Sequence, residues 1–379
     1  MRIAIFENIM TPGGHEVDFD RIIVEEFQQL RHEVNFYVPE NFTFQFDYKV
    51  PVHKLTGEAV TYTNSTGIKK LFAAAKREIN RQRWYRQLYD RQLEFDALII
   101  PTSTHRYLRA LNRNILRKIN VPLIFILHGI NPSEVDKFFN EAEKLLPHPN
   151  IKLVVLTFTN DILGRHLDNV YPIYPPTYTP RDISNAEFLI RNEELTIGFF
   201  GQYRREKKLE DLLEVFIKGN YTRPVKLIVQ GSTMHAEDSE DFERIIAKYS
   251  RQSNISFLHK GLIGAEWQKA IAKIDALLMP YSAPRYRYHW GGMLFTAIGF
   301  HKPVIASDDM NPEVFDKFNI GETFRSGNLQ DLGNVLENFI NNFDINISKY
   351  SQGLSLAGEE FSPEVFIRHL ISILHLHNV

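Results

Sequence analysis

The chain reads as an α/β protein made of two Rossmann-like domains with a cleft between them, and three observations predict this. Short apolar runs closed by turn residues alternate with longer amphipathic stretches, the pattern of a parallel sheet wrapped by helices. The alternation occurs twice, and 379 residues suffice for two domains that each bury a core. Between the two runs lies YPIYPPTYTP, residues 171–180, whose prolines remove donors and stiffen a connection.

In the first domain, expected as residues 1–172, strands are predicted at Ile3–Phe6, Val34–Val38, Ala97–Ile100, Leu123–Leu127 and Leu153–Leu156, with an amphipathic helix at Val17–Leu30. Residues 39–67 break the rhythm: they hold Phe42, Phe44, Phe46 and Tyr48 with few helix signals. A basic helix follows, Lys69 to Arg91, with cations at Lys76, Arg77, Arg81, Arg83 and Arg86 and an apolar face from Leu71, Phe72, Trp84, Tyr85 and Leu88. It reads either as a solvated helix packed down by its aromatics or as a docking element for an anionic membrane surface or lipid-linked acceptor. In the second domain, expected as residues 173–360, strands at Ile197–Phe200, Val225–Val229, Ile255–Leu258, Ala276–Met279 and Val304–Ala306 alternate with helices at Lys208–Ile217, Asp241–Tyr249, Trp267–Ile274 and Asp331–Phe339.

Composition narrows the function classes. Lys and Arg number 44 against 46 Asp and Glu, a formal net charge of -2, so attraction to an anion must come from local clusters and nucleic-acid binding is not indicated. The absence of cysteine excludes disulfides, thiolate nucleophiles and zinc–cysteine sites. No signal-peptide core and no membrane-length apolar run is present, so a cytoplasmic protein is expected, in peripheral contact with the inner membrane face through the basic segment. The carboxylates of SDDM, Ser307 to Met310, read as a turn, and no metal site is expected. A nicotinamide-dependent enzyme is disfavoured because GxGxxG with a downstream acidic residue is missing.

Three loops at predicted strand ends carry anion-binding chemistry. Gly13-Gly14 follows the first strand, where glycine lets backbone approach a ligand near a helix N-terminus. GFFGQYRREKKLEDLLEVF places Gly201, Gln202, Arg204, Arg205, Lys207 and Lys208 before a helix with apolar Leu209, Leu212, Leu213 and Phe216. RYRYHWGGMLF, from Arg285, joins Arg287, Tyr286, Tyr288 and Trp290 to Gly291-Gly292 and the amides running to Leu294, a second half for an anion clamp at the same edge. In the first domain His128 ends the strand LIFILH before Gly129 and brings an imidazole to a strand's carboxyl end.

Taken together these motifs resemble the donor half of retaining GT-B glycosyltransferases of family four. GFFGQYRREKK resembles that family's glycine-arginine loop and downstream lysine, KLIVQGS its next strand, and ISFLHKGL, IDALLMPY, AIGFHKPVIASDDMNPEVF and NIGETFRSGNLQDL follow in the family's order. The first half matches through Gly13-Gly14, LRHEV, ILHGI and VVLTFTNDI, and residues of about 39 to 92 fall outside. The resemblance implies a metal-independent hexosyltransferase without a resident cofactor, taking a UDP-sugar, first of all UDP-glucose, to a glycan or lipid-linked acceptor in cell-surface polysaccharide synthesis. Under it the first domain faces the acceptor, the second binds the nucleotide-sugar, and the terminal segment 361–379 packs back on the first. It assigns catalysis to His128, Lys207 and Arg204, and donor binding to Gly13, Gly14, Gly201, Gln202, Arg205, Gly231, Ile263, Tyr281, Arg285, Trp290, Gly291, Gly292, Met293, Leu294 and Thr296. Lys207 falls on the family's diphosphate lysine, while its arginine partner falls on Gln202, so that Arg204, Arg205 or Arg285 takes over the charge. The family's two glutamates fall on Tyr288 and Thr296, and a later one on Glu313. Those two losses raise a second reading, an inactive relative that binds nucleotide-sugar or glycan as a partner subunit.

Overall fold

The computed structural model describes residues 1–9, 15–59, 67–158, 163–181, 194–282 and 284–375. The chain forms two compact units, the first comprising Met1–Pro175, Tyr288–Trp290 and Pro363–Val379, the second Pro176–Arg287 and Gly291–Ser362.

In the first unit the elements are β1 (Arg2–Phe6), α1 (His15–Gln29), β2 (Glu33–Pro39), β3 (Val52–Leu55), α2 (Gly67–Asp90), β4 (Ala97–Ser103), α3 (His105–Leu111), β5 (Leu123–Leu127), α4 (Val135–Glu143), β6 (Ile151–Leu156) and β7 (Val170–Ile173). The strands lie in the order β3-β2-β1-β4-β5-β6-β7, every neighbouring pair parallel. β5 and β6 are buried at every residue, as expected of parallel strands covered on both faces. Trp84, Tyr85 and Leu88 of α2 join the core cluster with Phe6, Phe125, Phe138 and Phe139, so the basic helix is held by its aromatic side.

The second unit holds β8 (Leu195–Phe199), α5 (Leu209–Lys218), β9 (Val225–Gly231), α6 (Ala236–Tyr249), β10 (Ile255–His259), α7 (Gly264–Ala272), β11 (Ala276–Met279), α8 (Gly292–Gly299), β12 (Val304–Ser307), α9 (Pro312–Lys317), β13 (Gly321–Phe324), α10 (Leu329–Asn341) and α11 (Phe343–Glu360). Its sheet runs β10-β9-β8-β11-β12-β13, again all parallel. Both sheets therefore wind outward from a central pair, β1 with β4 and β8 with β11, and reverse direction there. In such folds ligands bind outside the carboxyl ends of the strands at that reversal. The last helix, α12 (Pro363–His375), packs on α1 and β7 of the first unit.

The strands that periodicity does not reveal, β3, β7 and β13, are four-residue edge strands. Half-exposed edges lack the apolar run of a central strand, and Pro172 in β7 is tolerated because an edge has one unpaired side. The unforeseen α11 contains Gly353, where a Cβ would stand 2.2 Å from the Asn319 carbonyl oxygen. Close approach explains a residue that weakens the helical signal.

A buried cation gives the second unit a measurable pH dependence. Lys302 is 8% exposed, its ammonium donates to the Ala272 carbonyl at 2.8 Å, and burial lowers its pKa to about 8 from 10.5, against the raising effect of Asp275. Between those two values the unfolded chain holds a proton that the folded chain has released, so this group adds stability as pH rises through the window. At one pKa unit per about 1.4 kcal/mol the full swing is about 3 kcal/mol. Thermal melts at pH 7.5 and 10 are expected to show Lys302→Met gaining on wild type at the lower pH and losing that advantage at the higher.

Candidate functional site

The reversal in the second sheet is built by the loop after β8. Gly201 sits at φ +109, a conformation closed to most residues. Its N–H donates to the Gln230 carboxamide oxygen at 2.9 Å, while the amide nitrogen of Gln230 donates to the Lys260 carbonyl. The chain then makes a single 3₁₀ turn, Arg205–Lys207, and enters α5 through Lys208 in the left-handed region. Burial of Leu209, Leu212, Leu213 and Phe216 seats that helix and turns Lys207 inward, to 7% exposure. The ammonium donates to the Tyr281 hydroxyl at 3.3 Å and lies 4.4 Å from the centre of the Tyr281 ring and 5.6 Å from that of Phe199. Burial raises the Tyr281 pKa well above the phenolic range, so the hydroxyl remains a neutral partner. A Cβ built on Gly201 would lie 3.8 Å from Lys207 Nζ and 3.7 Å from the sulfur of Met293. Ammonium, glycine backbone and the first turn of α8 therefore meet at one spot.

The other cations expected in this clamp are engaged elsewhere. Arg205 is exposed and pairs with Glu237 at 2.6 Å and Asp238 at 3.3 Å in the first turn of α6. Arg204 reaches Gln202 at 3.3 Å and Glu206 at 3.8 Å. Arg287 pairs with Glu313 at 2.5 Å, which also accounts for that glutamate. The side chain of Arg285 lies outside the described residues, as do Gly13 and Gly14. Loop position alone cannot reveal the pairing of Arg205 or Arg287, because their carboxylates arrive from other elements, although that of Arg204 lies two residues on.

At α8 the supply of backbone donors is narrower than the sequence suggests. Gly291 is the N-cap residue and has no side chain with which to cap the helix. Its own N–H donates to Asn311 Oδ1 at 3.3 Å, and the Leu294 N–H turns back to the Gly291 carbonyl at 2.8 Å. The first-turn amides outside both bonds are those of Gly292 and Met293, at the positive end of the helix. Thr296 is buried and its hydroxyl donates to the Gly292 carbonyl at 2.9 Å, which commits its proton to its own helix. Gly231 is a packing glycine, since a Cβ there would meet the Phe242 ring at 2.9 Å. Ile263 precedes α7 and is 43% exposed. Tyr286 packs its ring on Tyr281, centroids 4.9 Å apart.

Within the first unit, His128 follows β5 and donates from Nε2 to the Pro101 carbonyl at 2.9 Å, which selects its tautomer. Its ring meets Phe19 edge-on at 4.7 Å and Trp290 at 5.2 Å, and Phe19 also touches Phe366 of α12. Trp290, 7% exposed, is thus part of an aromatic cluster. Gly129 and His289 form an isolated antiparallel bridge. Gln230 and Asn311, which orient Gly201 and Gly291, escaped the sequence reading. The available signal was cost: a carboxamide at the end of an apolar strand such as KLIVQG is expensive to bury unless both ends are bonded.

Among the described residues no group of three or more His, Asp or Glu side chains stands ready to hold a metal ion, and no helix is long and apolar enough to cross a membrane. Comparison with known proteins fits this architecture. Residues 180–352 match the family model described as glycosyl transferases group 1. No curated protein sequence matches the chain. Among solved structures, a glycosyltransferase from Rickettsia africae superposes with a TM-score of 0.72 at 14% identity, covering 100% of this chain and 99% of the other. Anabaena HepE in complex with UDP and glucose gives 0.68 at 16% identity over 98% and 99% of the chains. Sucrose-phosphate synthase from Thermosynechococcus elongatus gives 0.69 at 13%, covering 98% of both. The second half of the chain is thus similar to the glycosyl transferases group 1, and the chain as a whole has the GT-B fold of the glycosyltransferases.

Proposed function

We propose that this protein is a retaining glycosyltransferase that moves a hexose, glucose before others, from a UDP-sugar to a glycan or lipid-linked acceptor in cell-surface polysaccharide synthesis. The observation that carries the reading is Lys207: a buried ammonium at the sheet reversal, beside Gly201 and the uncapped N-terminus of α8. Breaking the anomeric C–O bond leaves negative charge on the departing diphosphate. A fixed cation and the amides of Gly292 and Met293 favour that charge more than they favour the intact donor. UDP and glucose are suggested by the ligands of the Anabaena protein, and retention of configuration by the family likeness. The test is nucleotide release from a panel of UDP- and GDP-sugars, with magnesium or with EDTA. Turnover of one UDP-hexose in both conditions is expected. UDP binding with no turnover of any donor would instead favour the inactive-relative reading, which Thr296 supports because its hydroxyl is bonded within α8.

The acceptor side of the proposal includes peripheral contact with an anionic membrane at the cytoplasmic face. Beyond its buried aromatics, α2 exposes Leu71 (71%), Phe72 (72%) and Ile79 (60%). Phe72, Ile79 and the exposed Arg83 and Arg86 share one helical face. Apolar insertion beside cations suits anionic lipid. Co-sedimentation with phosphatidylglycerol vesicles is expected, falling at least tenfold in a Phe72→Ser, Arg83→Glu variant. Equal recovery with neutral vesicles would remove membrane contact from the proposal.

A further inference from the structure

The first unit contains a cavity of about 250 Å³ lined by Phe36, Phe44, Gln45, Phe46, Asp47, Tyr48, Val50 and Val52. It belongs to the segment 40–51 between β2 and β3, outside the part of the sequence that resembles known glycosyltransferases. We propose that it is a subsite for one neutral pyranose ring of the acceptor, an inference that rests on the glycosyltransferase reading above.

The segment alternates in exposure from Thr43 to Tyr48, with Phe44, Phe46 and Tyr48 turned inward and Gln45 and Asp47 outward. Phe44 sits 4.9 Å from Phe36 and 5.5 Å from Tyr48, and Phe46 5.1 Å from Tyr48, ring centre to ring centre. These contacts hold the rings in place at the wall of the cavity. Two ties fix the segment to the start of α1: the Tyr48 hydroxyl donates to the Val17 carbonyl at 2.9 Å, and the Arg21 guanidinium lies 4.6 Å over the Phe46 ring. That places the cavity beside the helix that follows β1, one of the two strands at which the first sheet reverses. The site is thus preformed and seated against the first turns of α1.

The lining selects the ligand. A pyranose presents C–H faces that pack on the electron-rich faces of aromatic rings. Its rim of hydroxyls needs polar partners, and Gln45 and Asp47 supply a carboxamide and a carboxylate. The volume falls below the 300–1,000 Å³ or so of sites for drug-sized ligands, which suits one ring and not an extended chain. Asp47 also works against an anionic sugar, since like charges repel.

Saturation-transfer NMR with methyl glucoside, methyl galactoside and glucuronate, on the full chain, tests this. Expected are transfer from the protein to the C–H protons of at least one neutral glycoside and weaker transfer to glucuronate. Phe46→Ala should reduce the signal at least fivefold, and Asp47→Asn should relax the discrimination against glucuronate. Gln45→Ala, an exposed change that leaves packing alone, should weaken the signal even if Phe46→Ala unfolds. Absence of transfer to both neutral glycosides, equal transfer to glucuronate in wild type, or signals unchanged across the variants would overturn the assignment. UDP binding, read by titration on the same samples, stays as in wild type if only the subsite fails, and its absence from wild type would count against the glycosyltransferase reading instead.

Discussion

Lys207→Ala is expected to lower the rate of UDP release in a single turnover by about 10²–10³-fold, the usual consequence of removing one preorganised group that stabilises charge in a transition state. The residue is buried against two aromatic rings, so its charge acts in a setting of weak solvent screening, where each interaction counts for more than in water. Lys207→Met separates this from a packing defect. It preserves the length of the side chain, and removing an ammonium that is costly to bury should leave the thermal midpoint at or above that of wild type, with the same loss of rate. Arg205→Ala is the contrasting case. Its guanidinium is exposed and occupied by Glu237 and Asp238, and turnover should stay within about twofold of wild type because a screened surface pair contributes little. A loss below tenfold in both Lys207 variants would move the diphosphate contact to Arg204 or Arg285 and remove the central support for the proposed chemistry.

The contrast between Lys207 and Arg205 shows where sequence reading succeeds. The fold was legible because buried parallel strands such as LIFIL and IKLVVL are continuous apolar runs with turn residues after them. The glycine turns at Gly201 and at Gly291-Gly292 were legible because a strand-to-helix turn leaves few alternatives. Pairing was not legible. Whether a cation in RREKK faces a ligand or a carboxylate depends on α6, and the acids at its start are remote in sequence. The same holds for the amide of Gly291, taken up by Asn311, a partner that only the fold supplies. Composition also could not distinguish the two sides of α2, where Trp84 is 3% exposed and Phe72 is 72% exposed. Both are aromatic residues in one basic helix, and the difference lies in which turn reaches the core.

Gly129→Ala is expected to destabilise the first unit by about 2–6 kcal/mol, combining a strained backbone with overpacking of the kind that costs about 1–3 kcal/mol each. Gly129 has φ +103, and an added Cβ would stand 2.5 Å from the Tyr288 carbonyl oxygen and 2.8 Å from His289 Cα. Both neighbours are main-chain atoms, so no rotamer change relieves the clash. Relief requires the segment Tyr288–Trp290 to lift from the end of β5, breaking the Gly129–His289 bridge and the contact from the Trp290 N–H to the His128 carbonyl at 3.4 Å. Trp290 would then leave its place against Phe19 and His128, and its fluorescence should shift to the red, with Trp290→Phe removing that shift. Gly164→Ala provides the comparison: φ is +51 but nothing lies within 4 Å of the new Cβ, so only the left-handed backbone cost of about 1–2 kcal/mol remains, with no change in fluorescence. If both alanines cost the same and neither shifts the emission, the close approach at Gly129 does not hold the segment in place, and the order of Tyr288–Trp290 must come from the aromatic cluster around Trp290 alone.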